Sequence, residues 1–421
     1  MSNFLKALGP GILFASTAIG VSHLVQSTQA GANFGFTLLW AILLANLFKY
    51  PFFEFGSRYA NATGKSIISG YKLLGKGALW TYFGITFISM FLVTSAVLFV
   101  TSGFMQQLFG LTDTIITVII VFLICIALLI SDNFKFLDGM IKVIGILLLL
   151  STLTAFIMVL LKGPIAKEGF FDYDSVDQNA YWLFLIPLMG WMPTAVDLSA
   201  WNSLWTVERI KQTGYHPKLK ETLFDFNLGY IISALLAICF LTLGAFIMFN
   251  TGKTFSASGV KFSGEVISLY TETFGNWAYP IIAISAFSIM FGTCVAVFDG
   301  YSRAMTATIQ HLKGAEESTK SDKQTKSLYR LVLLIITAGS FTLIYVFHKN
   351  PDGFKELVNL ATSISFVMAP VIAIFNLILV KKKYVGEAFV PPVWIRIIAW
   401  LGIVFLTVFT IFYIFKDQIL S

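Results

Sequence analysis

Gly20-Val21-Ser22-His23 and Gly190-Trp191-Met192-Pro193-Thr194 interrupt two long apolar stretches of this 421-residue chain, each near mid-length. A helix that crosses a bilayer keeps its backbone hydrogen bonds internal. Irregular backbone at that depth is tolerated only where it lines a cavity or is buried in protein. The carbonyls and amides freed by such a break become ligands. Breaks at corresponding places in two halves of a polytopic protein point to an inverted repeat that holds a solute near the bilayer midplane. The two stretches therefore read as the two sides of one transport site.

Composition supports a membrane setting. Hydrophobic residues make up 57% of the chain and charged residues only 12%, about half the charged share of a soluble domain. Mean hydropathy is +0.80. The formal net charge of +7, from 29 Lys and Arg against 22 Asp and Glu, would suggest nucleic acid in a soluble protein. Here its distribution reads as a topology signal, and no nucleic-acid partner is expected. Cys125, Cys239 and Cys294 all fall inside apolar runs, which indicates packing and neither a disulfide framework nor a metal-binding pair. No glycine-rich phosphate loop with a following Lys-Ser/Thr is found. Ion-gradient coupling or uniport is expected in place of a primary pump, with no enzymatic activity and no resident cofactor.

Runs of about twenty apolar residues mark eleven segments: 10–33, 36–57, 78–108, 113–131, 136–161, 181–205, 223–249, 276–308, 328–347, 356–380 and 393–415. The loops after even-numbered segments hold the clusters Arg58, Lys65, Lys72 and Lys76; Lys135; Arg209, Lys211, Lys218 and Lys220; Lys313, Lys320, Lys323, Lys326 and Arg330; and Lys381, Lys382 and Lys383. One opposite loop carries Glu168, Asp172, Asp174 and Asp177. The positive-inside rule then puts the N-terminus in the cytoplasm and the C-terminus outside, in a bacterial-type inner or plasma membrane. Segments 1 and 6 run in opposite directions, as an inverted repeat requires. Their breaks lie eleven and nine residues in, roughly 13 to 17 Å deep at 1.5 Å per residue. The expected architecture is an all-α polytopic membrane protein with eleven transmembrane helices. Residues 1–421 form one transporter domain, with one repeat over about 9–162, a second over about 180–381 and an extra helix over about 393–415.

Several residues in these segments are candidates for chemistry. His23, with Ser22 beside it and Gln26 one turn on, stands in the first break, where a polar group is costly unless it is used; the alternative is a histidine bonded to a neighbouring helix. Met192 offers a soft thioether next to Pro193, whose ring frees preceding carbonyls; the alternative is apolar filler. Asp197 is the deepest carboxylate and reads as a coupling group, a partner of a ligand, or half of a structural ion pair. Lys49 and Glu54 read either as snorkelling to the interface or as a buried pair that moves with a gate. Asp299 and Arg303, spaced i, i+4, are expected to pair on a helix surface in a structural or gating role. Segment 3 has no Asp, Glu, His, Lys or Arg from Leu79 to Thr112.

Further stretches carry a resemblance. Gly9-Pro10-Gly11, the run from Gln29 to Trp40, Ala45-Asn46-Leu47, Arg58 and Ala62-Thr63-Gly64-Lys65 resemble the first two helices of Nramp divalent-metal transporters, and Met192-Pro193 resembles the Met-Pro of that family's sixth helix. The resemblance implies a LeuT-like fold of two inverted five-helix repeats working by alternating access. Where the family has an Asp-Pro-Gly-Asn metal motif, this chain has Gly20-Val21-Ser22-His23, so the carboxylate ligand is missing and His23 stands at the asparagine. Met192 keeps the thioether, and the carbonyl of Met189 falls at the family's backbone ligand. Thr194 and Ser199 stand where the family has histidines, and segment 3 lacks its acidic proton-path residues. The chain thus looks like a divergent branch.

Two functions compete. In the first, the cargo is a divalent transition metal bound by His23 and Met192 with the carbonyls of Gly20 and Met189, and proton coupling is weak or absent. In the second, the chain is a LeuT-like carrier for a small organic or anionic solute, with the Ser22 and Thr194 hydroxyls and half-helix N-termini at the site and Lys49 supplying positive charge. A non-transporting sensor is a third possibility without an appended signalling domain to support it. A monomer is compatible with either transporter, and the oligomeric state stays open.

Overall fold

The apolar runs become helices, because in hydrocarbon only a helix satisfies every backbone group within its own segment. The computed structural model describes residues 6–130, 134–166, 169–253, 255–256, 258–314 and 323–419. Among these, the chain is helical throughout, with no strand. Glu168, Lys320 and most of the polar stretch from Gly314 to Lys326 lie outside the described residues.

The first run is split into α1 (Pro10–Ala18), a π-helical stretch (Ser22–Ser27) and α2 (Thr28–Phe34). Then follow α3 (Leu39–Thr63), α4 (Ile67–Leu74), α5 (Lys76–Phe109), α6 (Thr114–Ile130) and α7 (Phe134–Lys162). The sixth run is split into α8 (Gln178–Gly190) and α9 (Ser199–Thr213). The remainder is α10 (Leu219–Met248), α11 (Gly259–Phe274), α12 (Tyr279–Leu312), α13 (Lys323–Phe347), α14 (Gly353–Leu379), the short α15 (Lys382–Val385), α16 (Val393–Ile414) and the short α17 (Lys416–Ile419).

Six helices among the described residues are long and apolar enough to cross a membrane unaided: α5, α10, α12 with its preceding turn, α13, α14 and α16. Four of the other five runs fall short for identifiable reasons. Segments 1 and 6 are each cut in two by their break, α3 carries Lys49, Glu54 and Arg58, and α6 has only 17 residues. Large apolar side chains such as Leu123, Ile231, Trp400 and Val404 face outward, as expected of a surface bathed in lipid and not in water.

The broken helices sit inside this shell. α10 packs along α1, α2 and α3; α5 packs along α12 and α14; and α14 packs on α8. Small residues let backbones approach closely, as is common between helices in membranes. A Cβ on Gly11 would fall 1.9 Å from the carbonyl oxygen of Asp225, and one on Gly229 would fall 2.0 Å from the carbonyl oxygen of Gly11, so α1 and α10 meet backbone to backbone. The Asp225 carboxylate also accepts hydrogen bonds from the N–H groups of Gly9 at 3.0 Å and Gly11 at 2.6 Å. It thereby caps the positive N-terminal end of α1 from another helix.

Two helices were not expected from hydropathy. α4 has eight residues and buries Ile67, Ile68 and Tyr71, while α11 buries Phe262, Val266, Ile267, Leu269 and Tyr270. Both are too short or too charged to resemble a span. They fill the space between spans and α4 leads to a polar hub. There Tyr71 donates to the Asn376 side-chain oxygen at 2.7 Å, and the Asn376 amide donates to Ser199 Oγ at 2.8 Å and Phe52 O at 3.1 Å. The three cysteines are free and buried. Cys125 of α6 and Cys294 of α12 lie far apart in sequence yet bring their thiols into hydrogen-bonding contact.

Candidate substrate-binding site

The first break begins where α1 stops at Ala18. Gly20 N–H donates back to Ala18 O at 2.9 Å, and the Gly20 carbonyl accepts from His23 N at 3.2 Å and Leu24 N at 2.9 Å. The wider π turns that follow leave room at carbonyls, which hydroxyls on the same stretch occupy: Ser27 donates to Ser22 O at 3.2 Å and Thr28 to His23 O at 3.3 Å. Such π segments are recurrent at functional sites. The second break follows Gly190. Met192 N–H reaches Met189 O at 3.3 Å, Pro193 has no N–H to give, and the Met192–Pro193 peptide is cis. Helical bonding resumes in a single turn over Val196–Leu198 and then in α9.

The carbonyls freed in the second break meet a cation from α3. Lys49 is fully buried, and its ammonium donates to Met189 O at 2.6 Å and Gly190 O at 2.8 Å and reaches Thr194 O at 3.4 Å. An ammonium has three donors, and the end of a helix where carbonyls point out carries partial negative charge. Number and sign therefore match. Asp197, also buried, interacts electrostatically with Lys49 and lies against the Tyr301 hydroxyl. Gly190 has no space for a side chain here, since a Cβ would lie 2.1 Å from Thr362 O on α14.

His23 turns toward α10. Its Nε2 lies 2.8 Å from the Ser233 carbonyl and its Nδ1 lies 2.6 Å from Ser22 Oγ. A carbonyl can only accept, so Nε2 carries a proton, while the Ser22 hydroxyl has one proton to share between His23 Nδ1 and two nearby carbonyls. That hydroxyl also sits 2.6 Å from Ala18 O and 3.2 Å from Pro193 O. Ser22 thus joins the two breaks directly.

Beside this junction is a small cavity lined by Thr17, Ala18, Val21 and Ser22 at the first break, Trp191, Thr194, Ala195 and Leu198 at the second, Val93 and Val97 of α5, and Thr293 and Val297 of α12. It is small and partly open, with room for about one water molecule. Its walls are hydroxyls, an indole and aliphatic groups, with no acidic or basic side chain. Among the described residues no group of three or more His, Cys, Asp or Glu is placed to hold a metal ion.

A family model described as natural resistance-associated macrophage protein-like, Nramp, matches residues 11–416. The chain belongs to the Nramp family. A relative from Pasteurella multocida (strain Pm70), the uncharacterized protein PM0681, is 36% identical over 415 residues, which cover 97% of this chain and 92% of that protein. The divalent metal cation transporter MntH of Levilactobacillus brevis is 21% identical, over 97% of this chain and 87% of the relative. Among solved structures, a mutant of the manganese transporter of Eremococcus coleocola shares the fold with a TM-score of 0.70 at 13% identity, covering 98% of this chain and 87% of that one. The fold is LeuT-like.

In this Nramp chain the residues singled out from sequence separate into groups. Ser22 and Thr194 line the cavity, whereas His23 and Met192 are fully buried outside its lining. The Met189 carbonyl, expected as a free ligand, is taken by Lys49, and the Gly20 carbonyl is used by the backbone of the following turn. Gln26 is buried, with its amide nitrogen 3.4 Å from Asn359 Oδ1 on α14 and its carbonyl oxygen without a partner. Lys49 and Glu54 do not snorkel and are not a pair with each other. Both are fully buried, and Glu54 forms its ion pair with Arg58 one turn on. Arg58, counted above as a cytoplasmic-loop residue, lies inside α3 and also donates to Phe389 O at 3.0 Å. Asp299 and Arg303 do pair, at 2.8 Å, and Tyr329 of α13 joins Asp299 at 3.0 Å.

Proposed function

We propose that this Nramp chain carries a small solute across a membrane by alternating access, through a site formed where the two helix breaks meet. The observation that carries this reading is the junction itself. Ser22 Oγ of the first break lies 3.2 Å from Pro193 O of the second, with the cavity bounded by both. A divalent transition metal is the cargo that the names of the MntH relative and the manganese transporter support. In that case His23 and Met192 supply an imidazole and a thioether, a set that suits borderline ions better than Mg²⁺ or Ca²⁺. Loading the site then requires Ser22 to leave His23 Nδ1 and Lys49 to leave Met189 O. Proton coupling is weak or absent, since α5 holds no acid, base or histidine between Leu79 and Phe109. The membrane topology belonging to this reading is eleven helices, two inverted repeats over about 9–162 and 180–381, an extra helix over about 393–415, and a cytoplasmic N-terminus opposite an external C-terminus.

A second cargo class is favoured by one observation. The cavity wall offers hydroxyls and an indole but no carboxylate, which suits a small organic or anionic solute better than a dication. One assay separates the two. Proteoliposomes are loaded with a metal-sensitive dye and a pH dye, then challenged with Mn²⁺, Zn²⁺ and a panel of radiolabelled amino and organic acids. Saturable Mn²⁺ or Zn²⁺ entry with little acidification is the expected result. Uptake of an organic acid with no metal entry moves the assignment to the second class, and no uptake of either removes the transport reading.

A further inference from the structure

Three carbonyl oxygens converge at the end of α8, and the point on which they converge holds a positive charge brought by a different helix. Met189, Gly190 and Thr194 span six residues, so their convergence is a product of the break; in an unbroken helix these carbonyls would point along the axis to N–H groups four residues on. The break instead gathers oxygen donors at the partially negative end of a half-helix, the arrangement by which discontinuous helices coordinate small cations. The Asp197 carboxylate, beside the Tyr301 hydroxyl, stands near enough to act on the same charge. Carbonyl and carboxylate oxygens are the donors of hard cations.

We infer that the end of α8 is a cation-binding site and that Lys49 is its built-in occupant, a tethered ammonium in the place of a free Na⁺, K⁺ or divalent ion. Two features distinguish this from an ordinary buried lysine. All three ammonium donors are directed at main-chain carbonyls of one break, and Asp197 lies beyond ion-pair contact. Lys49 therefore neutralises the helix end first and a carboxylate only at a distance. Thr194 links the filled site to the cavity, since its carbonyl faces Lys49 and the residue also lines the cavity wall. The cavity is consequently held beside a fixed positive charge, and no free ion is needed to complete the second break.

The assignment rests on the breaks forming the transport site, but its test reads cation binding and not transport, so either can fail alone. The full chain and its Lys49→Ala and Lys49→Gln variants are purified in detergent and melted in choline chloride, NaCl, KCl and MnCl₂ at matched ionic strength. Wild type melts at the same temperature in choline, NaCl and KCl, and any rise it shows in MnCl₂ belongs to the cargo site and is the baseline for the variants. Lys49→Ala gains a saturable rise on the order of a few degrees in at least one metal salt over choline, and Lys49→Gln, which keeps two N–H donors for the carbonyls, gains less. A folded Lys49→Ala protein that melts identically in all four salts overturns the inference. So does a wild type that shows the same cation-specific rise. If Lys49→Ala does not survive extraction in choline, membranes are extracted in each salt. Recovery of monodisperse protein in a metal salt supports the site, and failure in every salt counts against it.

Discussion

The two breaks solve the same problem with opposite means. In the first, the freed carbonyls are satisfied locally and without charge by hydroxyls of Ser22, Ser27 and Thr28, while the neutral His23 ring reaches across to Ser233 of α10. In the second, Trp191, Met192 and Pro193 offer no hydroxyl and the proline no N–H, while Thr194, which has a hydroxyl, lines the cavity. Donors must then come from elsewhere, and α3 supplies an ammonium. A break rich in small polar residues stays neutral and can rearrange by rotating hydroxyls. A break rich in large apolar residues imports a charge and becomes tied to the helix that carries it.

The largest expected effect tests that asymmetry. Lys49→Met keeps the length of the side chain but leaves three buried carbonyls and Asp197 without their cation. Removing one partner of a buried charge system costs about 3–5 kcal/mol, so unfolding monitored by circular dichroism in choline buffer should shift strongly to lower temperature. A cost below about 1 kcal/mol would break the comparison, because the second break would then need no charge.

His23→Ala is the matching change in the first break. It removes the ring donor to the Ser233 carbonyl and one partner of Ser22, both of which keep other hydrogen bonds, and leaves the space of the buried ring empty, for which about 1–3 kcal/mol is expected, less than at Lys49. Equal or larger destabilisation in the same melt would mean that the first break is the more tightly constrained of the two. Ser22→Ala comes next, at about 0.5–1.5 kcal/mol, since one neutral hydrogen-bonding group is lost and Thr17 and Thr293 remain on the cavity wall. Its double-mutant cycle with Lys49→Met sharpens the comparison further. Additivity within about 0.5 kcal/mol indicates independent breaks, whereas coupling above that indicates that the contact from Ser22 to Pro193 transmits strain between them.

These positions were unequally legible in the sequence. Hydropathy located all eleven apolar runs, and each contains a helix, because length and apolarity are properties of the run itself. The breaks were legible too, since glycine and proline mark where helical bonding fails. What escaped notice depends on partners far away in the chain. The Asp225 carboxylate caps α1 from 214 and 216 residues away, and nothing in its local sequence distinguishes it from a lipid-interface acid. Lys49 was noticed, but its acceptors are main-chain carbonyls 140 to 145 residues on, which leave no mark of residue type. Arg58 reads as a loop residue because a cation at the end of an apolar run resembles a topology signal, whereas α3 continues to Thr63 and Arg58 pairs with Glu54 inside it. α4 and α11 escaped because a helix that only fills space between spans needs neither the length nor the apolarity of a span.

The smallest effect on stability is expected at Met192, and it is also the change that bears most directly on cargo. Met192 is fully buried, and replacement by Leu nearly conserves volume, so Met192→Leu should cost less than about 1.5 kcal/mol and leave the fold intact. What it removes is the thioether. If a borderline metal ion is coordinated during the cycle, losing a soft donor should lower Mn²⁺ or Zn²⁺ uptake in proteoliposomes about tenfold or more, since even an outer partner of a metal ligand is worth roughly 10-fold to 100-fold. The structure makes this demanding, because Met192 stands outside the cavity lining and its own break is already occupied by Lys49. A metal-transporting state must therefore release the ammonium and turn the thioether inward together. Unchanged metal uptake by a well-folded Met192→Leu protein would remove the thioether from the ligand set and leave the second break as a purely oxygen-lined, lysine-filled site.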